Sequence, residues 1–123
     1  MRILTPQHSD SPLVAAASRS YFEELMKSGI KVYFYKHNFL HSKAIVIDRC
    51  LSIIGTANMD YRSYEQDYEI SAFIYDTKTA DTLVENYFKD LNCSKELNLN
   101  LWHHRPKTKR FVESLARLFS PLL

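Results

Sequence analysis

At 123 residues the chain has the length of one compact domain, long enough to bury a core without staples, and 46% apolar against 24% charged residues with two glycines and four prolines excludes a disordered polymer. A net charge of +2 is too small to name a polyanionic partner, and the isolated Cys50 and Cys93 exclude a disulfide framework and suit a reducing cytoplasmic setting. Apolar runs of only a few residues exclude a membrane span, and no basic-then-apolar leader is read at Met1.

Arg2 to Leu4 reads as a short strand, followed by a polar loop from Thr5 to Asp10. Ser11 is a good N-cap with Pro12 in the first helical position. Leu13, Val14, Ala17, Tyr21, Phe22 and Leu25 then recur at helical spacing, so one amphipathic helix is expected up to Gly29. Ile30 to Tyr35, His41 to Asp48 and Leu51 to Ile54 are rich in β-branched and aromatic residues and read as strands, the last two joined tightly through Arg49 and Cys50. Glu69 to Tyr75 adds a strand, and Thr77 to Leu91 follows as a helix with Ala80, Leu83, Val84, Tyr87, Phe88 and Leu91 on one face. Two short helices, Leu97 to His103 and Lys107 to Ser120, close the chain. This alternation predicts an α/β or mixed α+β layer, with a central sheet between helices.

The chemistry concentrates between residues 41 and 58. His41 and Lys43 are two apart, so on a strand they face the same side, whereas Asp48 has the opposite parity and serves as well to anchor local structure as to act directly. An imidazole attacks as a neutral nucleophile or donates a proton as a cation, and a fixed ammonium stabilises charge on phosphoryl oxygens. Gly55 allows close backbone approach to a ligand, and the Thr56 hydroxyl and Asn58 amide are neutral donors for phosphate oxygens, so the chemistry requires no metal. Glu69, at the opening of the next strand, is the carboxylate expected to hold the second ring nitrogen of His41, with simple solvation or pairing to Arg62 as its alternatives. Asp60 and Ser63 are read as turn caps.

His41, Lys43, Asp48, Gly55, Thr56 and Asn58 fill every fixed position of HxKx4Dx6G(S/T)xN, and the chain thereby resembles the phospholipase D superfamily. The stretch Gly55-Thr56-Ala57-Asn58-Met59-Asp60-Tyr61-Arg62-Ser63 is similar to the GTANxDxRS form of bacterial cardiolipin synthases. Ala17 to Phe22, Phe39 to His41, Phe73 to Asp76 and the ending Arg117 to Leu123 also look like the C-terminal half of that family. The resemblance implies a single phospholipase D-like half-domain over residues 1–123, of class α/β, with a mixed β-sheet flanked by helices. It implies a phosphatidyltransferase that moves a phosphatidyl group between two phosphatidylglycerol molecules through a phosphohistidine. His41, Lys43, Asp48 and Glu69 would be its catalytic residues and Lys43, Thr56 and Asn58 its phosphate ligands, with no metal or other cofactor.

Two such motifs meet in one site in that superfamily, so the implied partners are an anionic phospholipid and a second half-site, either a second copy or an upstream half. A nucleic acid is not expected. The implied location is the cytoplasmic side of the cell membrane, held peripherally, since neither the family's N-terminal anchor nor its upstream motif is read here. A homodimeric phosphodiesterase or nuclease, or an inactive fragment that needs a separate upstream half, are the alternative readings.

His103 and His104 read as surface residues near a helix end, and His8 and His37 lie in loops with no assigned role. In the last helix Phe111, Leu115, Leu118, Phe119 and Leu122 share one side, with Arg105, Lys107, Lys109, Arg110 and Arg117 elsewhere. That pattern suits an anionic lipid surface, but the apolar side is expected to pack onto its own domain.

Overall fold

The computed structural model describes residues 1–9, 11–37 and 40–122. Asp10, which ends the expected first loop, and Phe39 and Leu123, which take part in the resemblance, lie outside the described residues, as does the side chain of Leu122.

Strand β1 (Arg2–Pro6) leads to helix α1 (Pro12–Ser20), whose N-cap Ser11 accepts from the Val14 N–H. The single helix expected here is broken at Tyr21, and α2 (Phe22–Lys27) begins anew. The Ser20 hydroxyl donates to the Ala17 carbonyl and the Tyr21 N–H to the Ser18 carbonyl, so the last turn of α1 tightens and its axis ends there. Gly29, at φ +80°, closes α2: its N–H reaches the Met26 carbonyl at 3.0 Å while the Ile30 N–H reaches the Leu25 carbonyl at 3.0 Å. This pair of bonds satisfies carbonyls the helix end would leave open, and it needs a residue at home in left-handed backbone. It delivers the chain into β2 (Lys31–Tyr35).

The expected single sheet is two. β2 lies parallel to β1 on one side and antiparallel to β6 (Ser94–Glu96) on the other. The second sheet is an antiparallel meander of β3 (Ala44–Ile47), β4 (Leu51–Gly55) and β5 (Ser71–Tyr75), with the short helix α3 (Tyr61–Glu65) between β4 and β5. Helix α4 (Thr77–Asn92), capped by Asp76, touches strands of both sheets. On the second sheet α4 lies against β3 and β4, and Ser52 is fully buried. Residues of the other parity, Ile45, Ile47, Phe73 and Tyr75, are exposed. One face of this sheet is therefore covered and the other open, in place of a sheet enclosed on both sides.

The tightest core lies in the first sheet. Phe22, Val32 and Trp102 are buried with Leu25, Met26, Phe34 and Leu97 packed around them, and the rings of Phe22, Phe34 and Trp102 stand with centroids 5.7–6.0 Å apart. Trp102 comes from α5 (Leu99–His103), capped by Asn98.

Helix α6 (Lys107–Leu118), followed by a 3₁₀ turn at Ser120–Leu122, packs against α1, but not through the expected face. Glu113 and Ala116 are its buried residues, and Phe111, Val112, Leu115, Leu118 and Phe119 are exposed. Glu113 is held inward by Arg105, whose guanidinium donates two hydrogen bonds to its carboxylate, at 2.7 and 2.8 Å, and stacks on Trp102. Small Ala116 admits the neighbouring helix, and Arg117 reaches back to Glu24. Paired charges and a small side chain thus decide the docking face against the apolar stripe.

Candidate active site

The site is built on the β3–β4 hairpin. Three residues, Asp48 to Cys50, join the strands: Asp48 and Arg49 have φ values of +49° and +54°, and the Cys50 N–H closes on the Ile47 carbonyl at 3.1 Å. Successive positive φ angles match the right-handed twist of the two strands. The ladder pairs Ala44 with Ile54, and one further bond, Gly55 N–H to the Lys43 carbonyl at 3.1 Å, carries it past the end of β3. Lys43 is thereby fixed at the open end of the hairpin. Strand β3 begins at Ala44, so His41 and Lys43 stand just before it rather than within it.

The two side chains nevertheless meet. Lys43 Nζ lies 3.1 Å from Nε2 and 3.2 Å from Nδ1 of His41, and it also donates to the His41 carbonyl at 3.1 Å. A neutral imidazole has one nitrogen with a free lone pair, so the ammonium donates to one of the two at a time. The result is a cation beside a titratable nucleophile at an exposed edge, which is what transfer of a phosphoryl group demands.

Gly55 and Thr56 bring β5 to this edge. A Cβ on Gly55 would stand 2.5 Å from the Ile70 carbonyl oxygen and 2.9 Å from Ser71 Cα, besides striking Ser71 Oγ. The close approach that requires glycine is therefore to the neighbouring strand, not to a ligand. Thr56 donates its N–H to the Ile70 carbonyl at 3.0 Å, and its hydroxyl accepts the Ile70 N–H at 3.0 Å while donating its proton to Glu69 Oε2. That proton is engaged, so as the site stands the Thr56 hydroxyl orients Glu69 rather than pointing a donor at solvent. Glu69 lies two residues before β5 begins, half-buried, and Arg62 pairs instead with Asp67 at 3.0 Å.

Asn58 is held by its backbone, whose N–H donates to the Ser63 hydroxyl at 3.1 Å, while the Ser63 N–H donates to the Asp60 carboxylate at 2.8 Å. Asp60 is the N-cap of α3 and Ser63 is buried, as expected of turn-capping residues. This pins the Thr56–Asp60 loop and leaves the Asn58 residue exposed beside Thr56. Asp48 stands apart. It occupies the turn at the far end of β3, on the order of 15 Å from Lys43 for a strand rising about 3.3 Å per residue. The structure gathers Lys43 with His41, and Thr56 with Glu69, and holds Asn58 next to them; it gives Asp48 a turn instead.

Arg105, Arg110 and Arg117, read from the sequence as part of a basic helix pattern, instead line with Arg19, Glu23 and Glu113 a shallow cleft of about 90 Å³ between α1, α5 and α6. The glutamates and Glu24 pair with them, so the cleft reads as a structural charge network. Among the described residues no cluster of His, Cys, Asp and Glu is arranged to hold a metal ion, and no helix is long and apolar enough to cross a membrane.

The family model described as "Cardiolipin synthase, PLD-like domain" matches residues 1–92. Over all 123 residues the chain is 46% identical to the cardiolipin synthase of Alkalihalophilus pseudofirmus and 46% identical to cardiolipin synthase 2 of Bacillus anthracis. It spans 24% of the length of each. Among solved structures, a phosphatidylserine synthase from Haemophilus influenzae Rd KW20 superposes on 99% of the chain, which covers 35% of that protein, with a TM-score of 0.64 and 16% identity. That likeness is one of fold, and it agrees with the α/β class expected from the sequence.

Proposed function

The chain belongs to the cardiolipin synthase family of phospholipase D-like domains, and from that premise we propose that it supplies one half of a phosphatidyl-transfer site. In this reading His41 is the acid/base when an upstream half provides the nucleophilic histidine, and serves as both when two copies pair. A histidine nitrogen attacks phosphorus of a phosphatidylglycerol, the bond to the glycerol oxygen breaks, and the opposite histidine gives that oxygen its proton. The hydroxyl of a second phosphatidylglycerol then yields its proton to the same imidazole and displaces the phosphohistidine, forming cardiolipin. Lys43 neutralises the non-bridging oxygens, with Asn58 as a further donor. Glu69, held by Thr56, is the proposed orienting carboxylate of His41.

The observation that carries the reading is the contact of Lys43 Nζ with the His41 ring at the open end of the hairpin, within the one complete HxKx4D motif of the 123 residues. In this reading the chain works peripherally at the cytoplasmic face of the cell membrane, where its proposed substrate is a bilayer lipid.

The test is cardiolipin formation, read by mass spectrometry, from phosphatidylglycerol vesicles with the chain alone and with an added upstream half from a relative. Product that depends on His41 in the complemented sample is the expected result, and product from the chain alone would assign self-pairing. Cardiolipin formed equally by His41→Ala, or none under either condition, would overturn the proposal.

A further inference from the structure

We propose that the outward face of α6 is a docking surface for a bilayer of anionic phospholipid. At 100° per residue, Phe111, Val112, Leu115 and Leu118 fall within an arc of about 120°. Phe111 and Leu118 are 70% and 74% exposed, and Phe119 extends the stripe. Glu113 and Ala116, on another side of the helix, are its buried residues and α6 packs on α1, so this stripe faces away from the domain. Lys107 borders it, and Lys109 stands in the first turn of the helix, three residues before Val112; both are exposed. An apolar stripe with ammonium groups at one end of its helix is what lies in the headgroup region of an anionic membrane, aliphatic and aromatic groups inward and ammonium groups at the phosphates.

The stripe is also joined to the site. The Gln66 side chain donates to the Pro121 carbonyl at 2.8 Å, tying the turn after α6 to the end of α3. Helix α3 carries exposed Tyr61 and Tyr64, and Met59, Tyr68 and Ile70 are exposed on the segments that flank Thr56 and Glu69. Exposed apolar groups therefore stand both on α6 and on the segments beside Thr56 and Glu69. The choice of lipid over protein rests on the exposed Lys107 and Lys109 in the first turn of α6 and on the phosphatidyl-transfer reading, under which the substrate is itself a bilayer lipid.

The experiment is co-sedimentation of the full chain with vesicles of phosphatidylcholine alone and with phosphatidylglycerol added, beside size-exclusion at rising protein concentration. The chain is expected to bind the anionic vesicles preferentially. Phe111→Ser/Leu115→Ser/Leu118→Ser should lower the partition coefficient about tenfold or more, and Lys107→Glu/Lys109→Glu should erase the preference for phosphatidylglycerol. Because these side chains are exposed, the variants keep the fold, checked by circular dichroism, and a Phe111→Trp reporter should shift its emission to the blue on vesicle addition. Equal sedimentation of the wild type and both variants, or an α6-dependent dimer in place of vesicle binding, would overturn the proposal. The readout needs no turnover, so loss of vesicle binding and absence of phosphatidyl transfer are separate results.

Discussion

The ammonium of Lys43 sits 3.1 Å from Nε2 and 3.2 Å from Nδ1 of His41, so the positive charge needed at a transferred phosphate is already beside the imidazole that would handle its protons. Removing that charge while keeping the stem, as in Lys43→Met, is expected to lower phosphatidyl transfer by the complemented protein about a hundredfold or more, comparable with loss of one preorganised donor. Lys43→Arg is expected to restore little, because a planar fork cannot reproduce a point charge at the same place. Steady-state kinetics on phosphatidylglycerol vesicles, with the fall in kcat rather than KM, are the check.

The Thr56–Glu69 pair separates positioning from folding. Thr56→Val removes the hydroxyl that both donates to Glu69 and accepts the Ile70 N–H, and is expected to destabilise the fold by about 0.5–1.5 kcal/mol in urea denaturation, with Thr56→Ser restoring it. Glu69→Gln keeps an acceptor for the Thr56 proton but loses the charge. It is expected to leave stability unchanged within a few tenths of a kcal/mol while slowing transfer, and equal rates would remove Glu69 from the orienting role.

Gly55→Ala tests how closely β5 approaches. With the Ile70 carbonyl oxygen 2.5 Å from the added methyl and Ser71 Cα at 2.9 Å, backbone must move, so a loss of about 2–3 kcal/mol is expected. Chemical denaturation measures it, and a neutral result would mean that β4 and β5 separate freely at this end.

The hairpin was legible because β-branched runs are a local property, whereas His41 and Lys43 meet just before β3, outside the strand whose parity was expected to bring them together. What was not legible depended on contacts between distant segments. The periodicity of Leu13 to Leu25 carries no mark of the break at Tyr21, which arises from local hydrogen bonds of Ser18 and Ser20. Ser94–Glu96 has no strand pattern, yet it pairs with β2, and Glu96 accepts from the Tyr33 hydroxyl at 2.9 Å. The sequence of α6 offers its apolar stripe as the buried side, whereas Glu113 is drawn inward by Arg105, a partner eight residues away and outside the helix. Parity had already set Asp48 apart from Lys43, and the turn explains how.

That turn gives another prediction. Arg49 has no glycine-like freedom at φ +54°, a conformation that costs an L-residue roughly 1–2 kcal/mol, and its exposed ion pair with Asp81 returns under about 1 kcal/mol. Arg49→Gly is therefore expected to stabilise the chain modestly, by on the order of 0.5 kcal/mol, seen as a higher urea midpoint with an unchanged slope.

Acid sensitivity should centre on Glu23. Hydrogen bonds from Lys27 at 2.8 Å and His103 at 3.0 Å push its carboxyl down to about 2 from an ordinary value of 4.5. A folded pKa below the unfolded one means the unfolded chain takes up protons first as pH falls. The contribution of Glu23 is then complete above about pH 5, declines below 4.5 and is gone as pH passes through about 2. Glu23→Gln should be less stable than the wild type at neutral pH, and the gap should close across that acid window. Urea unfolding at several pH values checks the sign. A gap that stayed constant down to pH 2 would mean that Glu23 anchors α2 to α5 and α6 by shape rather than by charge.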